Sequence, residues 1–505
     1  MENQKNPCYS WQNRSGIVGM LETAAEDCPD ADAFRFRVKK DQAGSRTYSK
    51  VLRDVRRLAG RIPGRGRHVA VIGENSYDWL TAFFAVLGSG NVAVPIDRAL
   101  PAREIAGLIR EADVSAAFVS QSYADLTEGI PGLTVWPMKR PEDEGEEQAE
   151  AFSLVHPGAD DPACIFFTSG TSGASKGVVL THGNLAADIS SCAKQSDLEG
   201  ESAFSILPFH HTYGLVASVL VPYLSHTPVF ICSSLKRMTE DLALAKPSFL
   251  VVVPLFVENL YKQITEGIKK TGRNLLEQMG VRLRFIVCGG AFLDPRYVKA
   301  FREFGIEILN GYGTTECSPV VAMNRKHHHR DGSVGQLLPG VEARISGEGE
   351  VLIRGPIVMK EYYKRPEETA QVLRDGWYAT GDLGYIDEDG FLFLTGRMKE
   401  LIILSNGENI SPEELEADFK RDPGVKSVLV CERDGLITAE IFPEEGFEGQ
   451  KPYFETLMRN VNRDRPAYKQ VARVVLRDHD FIRNSTQKIV RYKNIPGPET
   501  PGNGG

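Results

Sequence analysis

Phe166-Phe-Thr-Ser-Gly-Thr-Ser-Gly-Ala-Ser-Lys-Gly177 holds three glycines, five hydroxyl side chains and one lysine. The apolar run Ala163 to Phe167 leads into it, and Val178-Val-Leu180 follows directly. That pattern predicts a loop between two strands. Glycines open backbone conformations closed to other residues, so successive N–H groups can face one anion, while the hydroxyls and Lys176 add donors and positive charge. The loop therefore suits a phosphate cradle. The same composition also suits a flexible Ser/Gly turn, and the rest of the chain has to choose between them.

A P-loop of the kinase and GTPase kind needs Gly-x-x-x-x-Gly-Lys-Ser/Thr opening a helix. Here Lys176 is followed by Gly177 and then by a strand, and the hydroxyl that would hold magnesium is missing. Instead the run resembles the signature loop of the adenylate-forming superfamily: acyl-CoA synthetases, peptide-synthetase adenylation domains and firefly luciferases. That loop reads Thr-Ser-Gly-Thr-Thr-Gly-x-Pro-Lys-Gly, and this chain departs from it at Ser172 and Ser175. Neither departure removes a phosphate donor.

With 505 residues the chain should build more than one domain. Its composition, 42% hydrophobic and 25% charged, is that of a soluble globular protein, and a net charge of -8 argues against nucleic-acid binding. The eight cysteines occur singly, without zinc spacing, as reduced thiols of a cytoplasmic protein do. Met1 to Gly16 lacks the apolar core of a signal peptide. The uncharged run Trp79 to Ile96 is broken by Gly88, Gly90 and Pro95, so it divides into a helix (Tyr77 to Leu87) and a buried strand (Val92 to Ile96) rather than a membrane span.

Residues 17 to 135 alternate helices with short apolar strands, which predicts a mainly parallel sheet covered on both faces. Strands are expected at Arg67–Gly73 and Ser115–Val119, with a helix at Pro101–Glu111. The acidic run Pro141 to Glu150 reads as a solvated loop. Further buried strands are expected at Val251–Pro254 and Phe285–Ala291, the second ending in Gly289, Gly290 and Ala291, where a ligand can approach closely. His327-His-His329 reads as solvated, because three adjacent side chains point in different directions. Short alternating strands from Gly335 to Val358 suggest a small β subdomain. Beyond Met398 the pattern becomes a small α+β unit: a helix capped by Ser411 with Glu414 at the capping-box position, a hairpin around Asp434-Gly435, and a strand at Ala472–Leu476.

Four further motifs match the superfamily and carry what the resemblance implies. Pro208-Phe-His-His-Thr-Tyr-Gly214 aligns its histidine at His211, beside the reacting carboxylate; the apolar stretch Val216 to Leu224 also suits a plain core helix. Asn310-Gly-Tyr-Gly-Thr-Thr-Glu316 puts Asn310, Gly311, Tyr312 and Gly313 around adenine, Thr315 on the α-phosphate and Glu316 on Mg²⁺. Tyr378-Ala-Thr-Gly-Asp382 and Arg397 would hold the ribose, although Arg397 also suits a surface salt bridge, and Lys399 falls at the family's hinge. Lys488, in Arg483-Asn-Ser-Thr-Gln-Lys488, is the catalytic lysine by register, with Gln487 in place of a common glycine. Thr168, Ser169, Gly170, Thr171, Ser172, Gly173 and Lys176, with Gly290 and Ala291, complete the nucleotide contacts.

The resemblance implies an α/β fold: a large domain of parallel sheets with a small β subdomain (1–398), a small mobile α+β domain (399–494) and a disordered tail (495–505). It implies ATP-dependent conversion of a carboxylic acid to an acyl-adenylate, with Mg²⁺ as cofactor, then transfer to CoA. No carboxylate occurs from Ser202 to Thr239 to hold an amino acid's ammonium group. Phe209, Tyr213, Gly214, Leu215, Val216, Val219 and Leu220 are the candidate lining instead, which favours an apolar, fatty acid. Two rivals stand beside this: a ligase that loads an acyl or aryl acid onto a carrier protein, and a non-catalytic nucleotide-binding homologue. A luciferase-type oxygenase and a membrane contact find no supporting residue.

Overall fold

In a computed structural model, the described residues are 16–138, 152–169, 175–272, 274–403, 409–485 and 488–495. Gly170, Thr171, Ser172, Gly173, Gln487, the acidic run and the tail after Ile495 lie outside them, as does the side chain of Ser169. The chain divides into two compact units. One takes residues up to Ser169 together with Ser175–Ala343 and Ile353–Tyr378; the other takes Arg344–Leu352 and the chain from Ala379 onward.

The first unit contains two large sheets. In the seven-stranded one the order is Glu361–Tyr362, Ser175–Thr181, Pro162–Ser169, Val92–Pro95, His68–Ile72, Val114–Val119, Thr134–Pro137. Its central strands are parallel and read as near-continuous Val/Ala/Ile runs because helices cover both faces. Ile72, Val94, Ile105, Ala117 and Ile165 lie in that core. The nine-stranded sheet runs Gln336–Leu337, Val320–Met323, Glu307–Gly313, Phe285–Cys288, Phe249–Val252, Ala203–Ser205, Val229–Ile231, Asp32–Lys39, Gln42–Thr47. Helix Tyr77–Gly88, capped by the Ser76 hydroxyl, is buried along its length, as the reading of Trp79 to Ile96 requires. Among the described residues no helix is long and apolar enough to cross a membrane.

Residues 17 to 135 do not make one sheet. Asp32–Lys39 and Gln42–Thr47 form an antiparallel hairpin at the edge of the nine-stranded sheet, through parallel pairing of Phe34 with Val229. The tight turn at 40–41 returns the chain before any crossover helix can form, so the alternating parallel pattern begins only at His68.

In the second unit, Val425–Arg433 and Leu436–Pro443 pair across Asp434 and Gly435, both at positive φ (54° and 74°). This is the mirror-image turn that Asp-Gly favours. Helix Pro412–Lys420 packs Leu415 and Phe419 against Val428, Val430 and Ile441. The capping box expected at its start is not formed: the Ser411 hydroxyl donates to Glu413 Oε2 at 2.7 Å, and Glu414 pairs with Arg465 at 3.0 Å. A charged partner outcompetes a backbone N–H for the Glu414 carboxylate. Seven cysteines among the described residues are free.

Phe419 is fully buried. Phe419→Ala is expected to destabilise the second unit by about 3 to 5 kcal/mol, read from a denaturant titration; a loss under about 1 kcal/mol would show that this core closes over the cavity.

Candidate active site

The strands Pro162–Ser169 and Ser175–Thr181 pair antiparallel, with Thr168 opposite Lys176. Lys176 therefore stands near the end of this hairpin, one residue from where the described strand begins. A short strand lies along the outer edge of that hairpin, pairing Glu361 with Val179 and Tyr362 with Val178, and the Tyr363 N–H donates to the Gly177 carbonyl at 2.7 Å. This register brings the Tyr362 ring under Lys176, 4.9 Å from its Nζ. The Tyr362 hydroxyl donates to Glu316 Oε1 at 2.8 Å. Burial, then the neighbouring Glu316 carboxylate, raises the Tyr362 phenol well above its ordinary range, so it remains a donor. Tyr378 is raised for the same two reasons.

Lys176 is engaged. Its Nζ lies 2.5 Å from Glu368 Oε2, and Glu368 also accepts from Arg365 at 3.1 Å. The Lys176 hydrogen bond is the main influence holding the Glu368 carboxyl below the usual range. Glu368 is in the first turn of helix Pro366–Val372, directly after the Tyr362 strand. Neither Tyr362 nor Glu368 was singled out by motif; the signal was present in Glu361-Tyr-Tyr-Lys-Arg-Pro-Glu-Glu368, a helix start with proline and acids in its first turn.

Strand Glu307–Gly313 carries Asn310 to Gly313 and turns into Thr315 and Glu316. A Cβ on Gly313 would fall 1.7 Å from the Pro319 carbonyl oxygen, so only glycine allows this turn. Tyr312 is buried against Ala322 of the neighbouring strand. Asn310 Oδ1 and Thr314 Oγ1 are buried without a hydrogen-bond partner among the described residues. Such atoms suit a polar ligand in this turn. Gly290, at φ 83°, and Ala291 are exposed at the end of the neighbouring strand. The Thr315 hydroxyl lies 3.2 Å from that of Thr212, in the His-His-Thr-Tyr-Gly motif.

That motif is held from elsewhere in the chain. Buried Asn75 donates to the Leu207 carbonyl at 2.7 Å and accepts from the Phe209 N–H at 3.1 Å. His210 Nε2 lies 3.3 Å from Asp97 Oδ2, and the two histidine rings lie 4.4 Å apart, tilted by 46°. Burial, then His210, pushes His211 down to about 3. The helix that follows starts wide, with the Val221 N–H reaching back to the Val216 carbonyl, a winding frequent at functional sites. A Cβ on Gly214 would lie 2.1 Å from the Pro208 oxygen. The Tyr213 hydroxyl donates to the Val252 carbonyl at 3.3 Å. Phe209, Leu215, Val216, Val219 and Leu220 are buried. The absence of a carboxylate from Ser202 to Thr239 does not extend to space: Asp97, at the carboxyl end of strand Val92–Pro95, brings one to His210, where parallel sheets place ligand-facing residues.

In the second unit Asp382 and Arg397 stand directly opposite on paired strands, Nε to Oδ1 at 2.6 Å. Asp382 is buried, and the Thr380 hydroxyl accepts its N–H. The ion pair is thus present. Lys488 lies among Arg397, Asp382, Glu400 and Glu413. The crowding of protein around it, then Arg397, push its ammonium below the usual lysine range although the residue keeps an exposed face. Lys399 is exposed, on the short turn Met398–Glu400. His327 and His328 are exposed, and no cluster of metal-ligating side chains occurs among the described residues.

Two large sheets with parallel central strands, and a cation and carboxylate sharing one tyrosine, agree with an adenylate-forming enzyme. The family described as AMP-binding enzyme matches residues 21–363, and the chain belongs to it. It is 29% identical over 448 residues to a long-chain-fatty-acid–CoA ligase, FadD15, of Mycobacterium bovis, covering 76% of this chain and 74% of that one. It is 29% identical over 401 residues to a feruloyl-CoA synthase of an Amycolatopsis species, covering 76% and 80%. Its fold matches the crystal structure of ATP-bound MatB from Rhodopseudomonas palustris with a TM-score of 0.81 at 26% identity, over 94% of this chain and 97% of that one.

His182 is buried with both ring nitrogens lacking a hydrogen-bond partner among the described residues, and burial lowers it to about 4. An unfolded histidine titrates near 6.5, so as pH falls from about 6.5 toward 4 the unfolded chain takes up a proton that the folded one refuses. Stability is therefore expected to fall with pH in that window and to be level above it. The drop from pH 7 to 5 should be about 2 kcal/mol for His182 alone, read from denaturant midpoints, and His182→Gln should flatten it; an unchanged slope in that variant would locate the proton uptake elsewhere.

Proposed function

We propose that this adenylate-forming acid–CoA ligase activates an apolar, fatty-type carboxylic acid, first to an acyl-adenylate with release of pyrophosphate, then to an acyl thioester on CoA. The observation that carries the reading is the meeting of Lys176 and Glu316 on one tyrosine: a cation for phosphate and a carboxylate for a hard metal ion, held on one side chain.

A carboxylate is a poor acylating agent because its leaving group is oxide. Attack of its oxygen on the α-phosphorus of ATP forms the acyl–phosphate bond and breaks the bond to pyrophosphate. Negative charge grows on the α-phosphate oxygens, and donors and cations fixed beforehand stabilise it. Thr315 donates to the α-phosphate in this reading, Lys488 supplies the cation, and Lys176 with the loop residues Thr168 to Gly173 binds the outgoing phosphates. Asp382 accepts from the ribose hydroxyls, with Arg397 beside it, and Asn310 to Gly313 surround adenine, with Tyr312 stacked on the base. His211, held neutral, lies beside the acid's carboxylate.

Mg²⁺ fits the donor set. Glu316 offers a carboxylate whose Oε1 is oriented by Tyr362, and the neighbouring donors are hydroxyl oxygens, while magnesium commonly takes one or two carboxylates and completes its shell from phosphate and water. Bound there, it would neutralise phosphate charge. The buried Phe209, Leu215, Val216, Val219 and Leu220, with Tyr213 and Gly214, support an apolar acid. Lys399 is the hinge in this reading, at the boundary between residues 1–398 and 399–494.

Pyrophosphate release from ATP should follow acyl chain length across a panel of fatty, aryl and amino acids and turn over only with CoA. Release favouring aryl or amino acids would overturn the substrate class, and a single turnover indifferent to CoA would point to a carrier-protein acceptor. Lys488→Ala should slow adenylate formation by about 100-fold or more with little change in ATP affinity, whereas Asp382→Ala should weaken ATP binding by about 10- to 100-fold. The reverse pattern in a binding titration would exchange the two roles.

A further inference from the structure

The loop that carries Lys488 is closed at its base. The Val490 N–H donates to the Ile482 carbonyl at 2.9 Å, and the Asn484 N–H to the Lys488 carbonyl at 2.9 Å. The Asn484 side chain accepts the Lys488 N–H in return, and Asn494 spans Ile482 and Val490 from outside. These bonds shape the loop itself. It is fastened to strand Val425–Arg433 by Arg483, whose Nη2 donates to the Ser427 hydroxyl at 2.8 Å, and to Glu400 by Arg491, three residues beyond the lysine.

Arg491 is largely buried and spreads its guanidinium over three separate segments. Nε donates to Glu400 Oε2 at 3.1 Å, Nη2 to Glu416 Oε1 at 2.8 Å, and Nη1 to the Val430 carbonyl at 3.1 Å; Glu413 Oε1 lies 4.0 Å away. Glu416 is in turn tied to the Val430 N–H at 2.8 Å. Glu416 and Val430 belong to helix Pro412–Lys420 and strand Val425–Arg433 of the small core. Glu400 does not: it directly follows Lys399 on the short turn Met398–Glu400. One planar fork therefore joins the Lys488 loop, the core and the first residue after the hinge position. A lysine could hold any one of these partners but not all of them, because it lacks the fixed fork.

We infer that Arg491 is a positioning residue for adenylate formation, fastening the Lys488 loop to Glu400 so that the lysine moves as one body with the chain that leaves Lys399. The inference rests on the reading above, in which Lys488 serves adenylate formation. Releasing the fork leaves Lys488 chemically intact but poorly aimed, and a misplacement of about 1 Å can cost about 100-fold in rate.

The test separates the half-reactions in the full-length chain. Single-turnover pyrophosphate release reports the first, and conversion of supplied acyl-adenylate plus CoA to thioester reports the second. Arg491→Lys should slow the first by about 10- to 100-fold while the second stays within about threefold. Glu400→Gln, which removes one anchor and leaves Glu416 and Val430 in place, should show the same split more weakly and covers the case in which Arg491→Lys fails to fold. A merely structural arginine predicts that both half-reactions and the melting temperature fall together, and that result overturns the inference. So does an unaltered first half-reaction in both variants when Lys488→Ala abolishes it. A Lys488→Ala chain that releases pyrophosphate like the parent overturns the underlying reading as well, and is told apart by that control.

Discussion

Tyr362 stands between opposite charges. Its ring faces the Lys176 ammonium and its hydroxyl holds the Glu316 carboxylate, so one rigid side chain sets the spacing between a cation and a carboxylate, to which the proposed reading gives phosphate and metal. The three strands that converge here serve that spacing. The hairpin supplies Lys176, the strand ending in Gly313 supplies Glu316, and the edge strand Glu361–Tyr362 is locked to the hairpin two residues from the lysine. The large sheets earn their regularity by delivering these ends.

Close backbone approach is the second constraint. Gly214 and Gly313 each sit where a methyl group would lie about 2 Å from a carbonyl oxygen, that of Pro208 and of Pro319 respectively. Both lie next to polar side chains assigned to the reacting groups, His211 and Thr315. The backbone folds back on itself at these points, and the hydroxyls of Thr212 and Thr315 come within 3.2 Å. The acid motif and the nucleotide motif are thereby built into one piece of structure, so a shift in either is transmitted to the other.

Much of this was legible in the sequence because it is local. The hairpin around Lys176, the helix at Tyr77, the Asp434-Gly435 turn and the Ile308 strand each carry their own pattern of apolar periodicity and turn residues. Asp382 and Arg397 fall opposite each other because the strands between them pair in antiparallel register. What escaped is what depends on distance along the chain. Tyr362 and Glu368 reach Lys176 from nearly two hundred residues away, Asp97 reaches His210 across more than a hundred, and Arg491 reaches Glu400 across 91. No local pattern encodes such meetings. The split of the first strands between two sheets escaped for a related reason: hairpin or crossover turns on a two-residue connection, not on the strands. The capping box failed because Glu414 had a distant arginine to prefer.

In the proposed reading Lys176 serves phosphate, and its contact with Glu368 gives that site a built-in occupant. An arriving triphosphate does not meet a bare cation; it displaces a carboxylate that already satisfies it. Binding strength there is consequently a difference between two ion pairs, and weak or singly charged anions gain too little to win the exchange. In that reading the site is insulated from ordinary anions, and the threshold for entry is set by charge density and by the number of oxygens that a ligand can present at once.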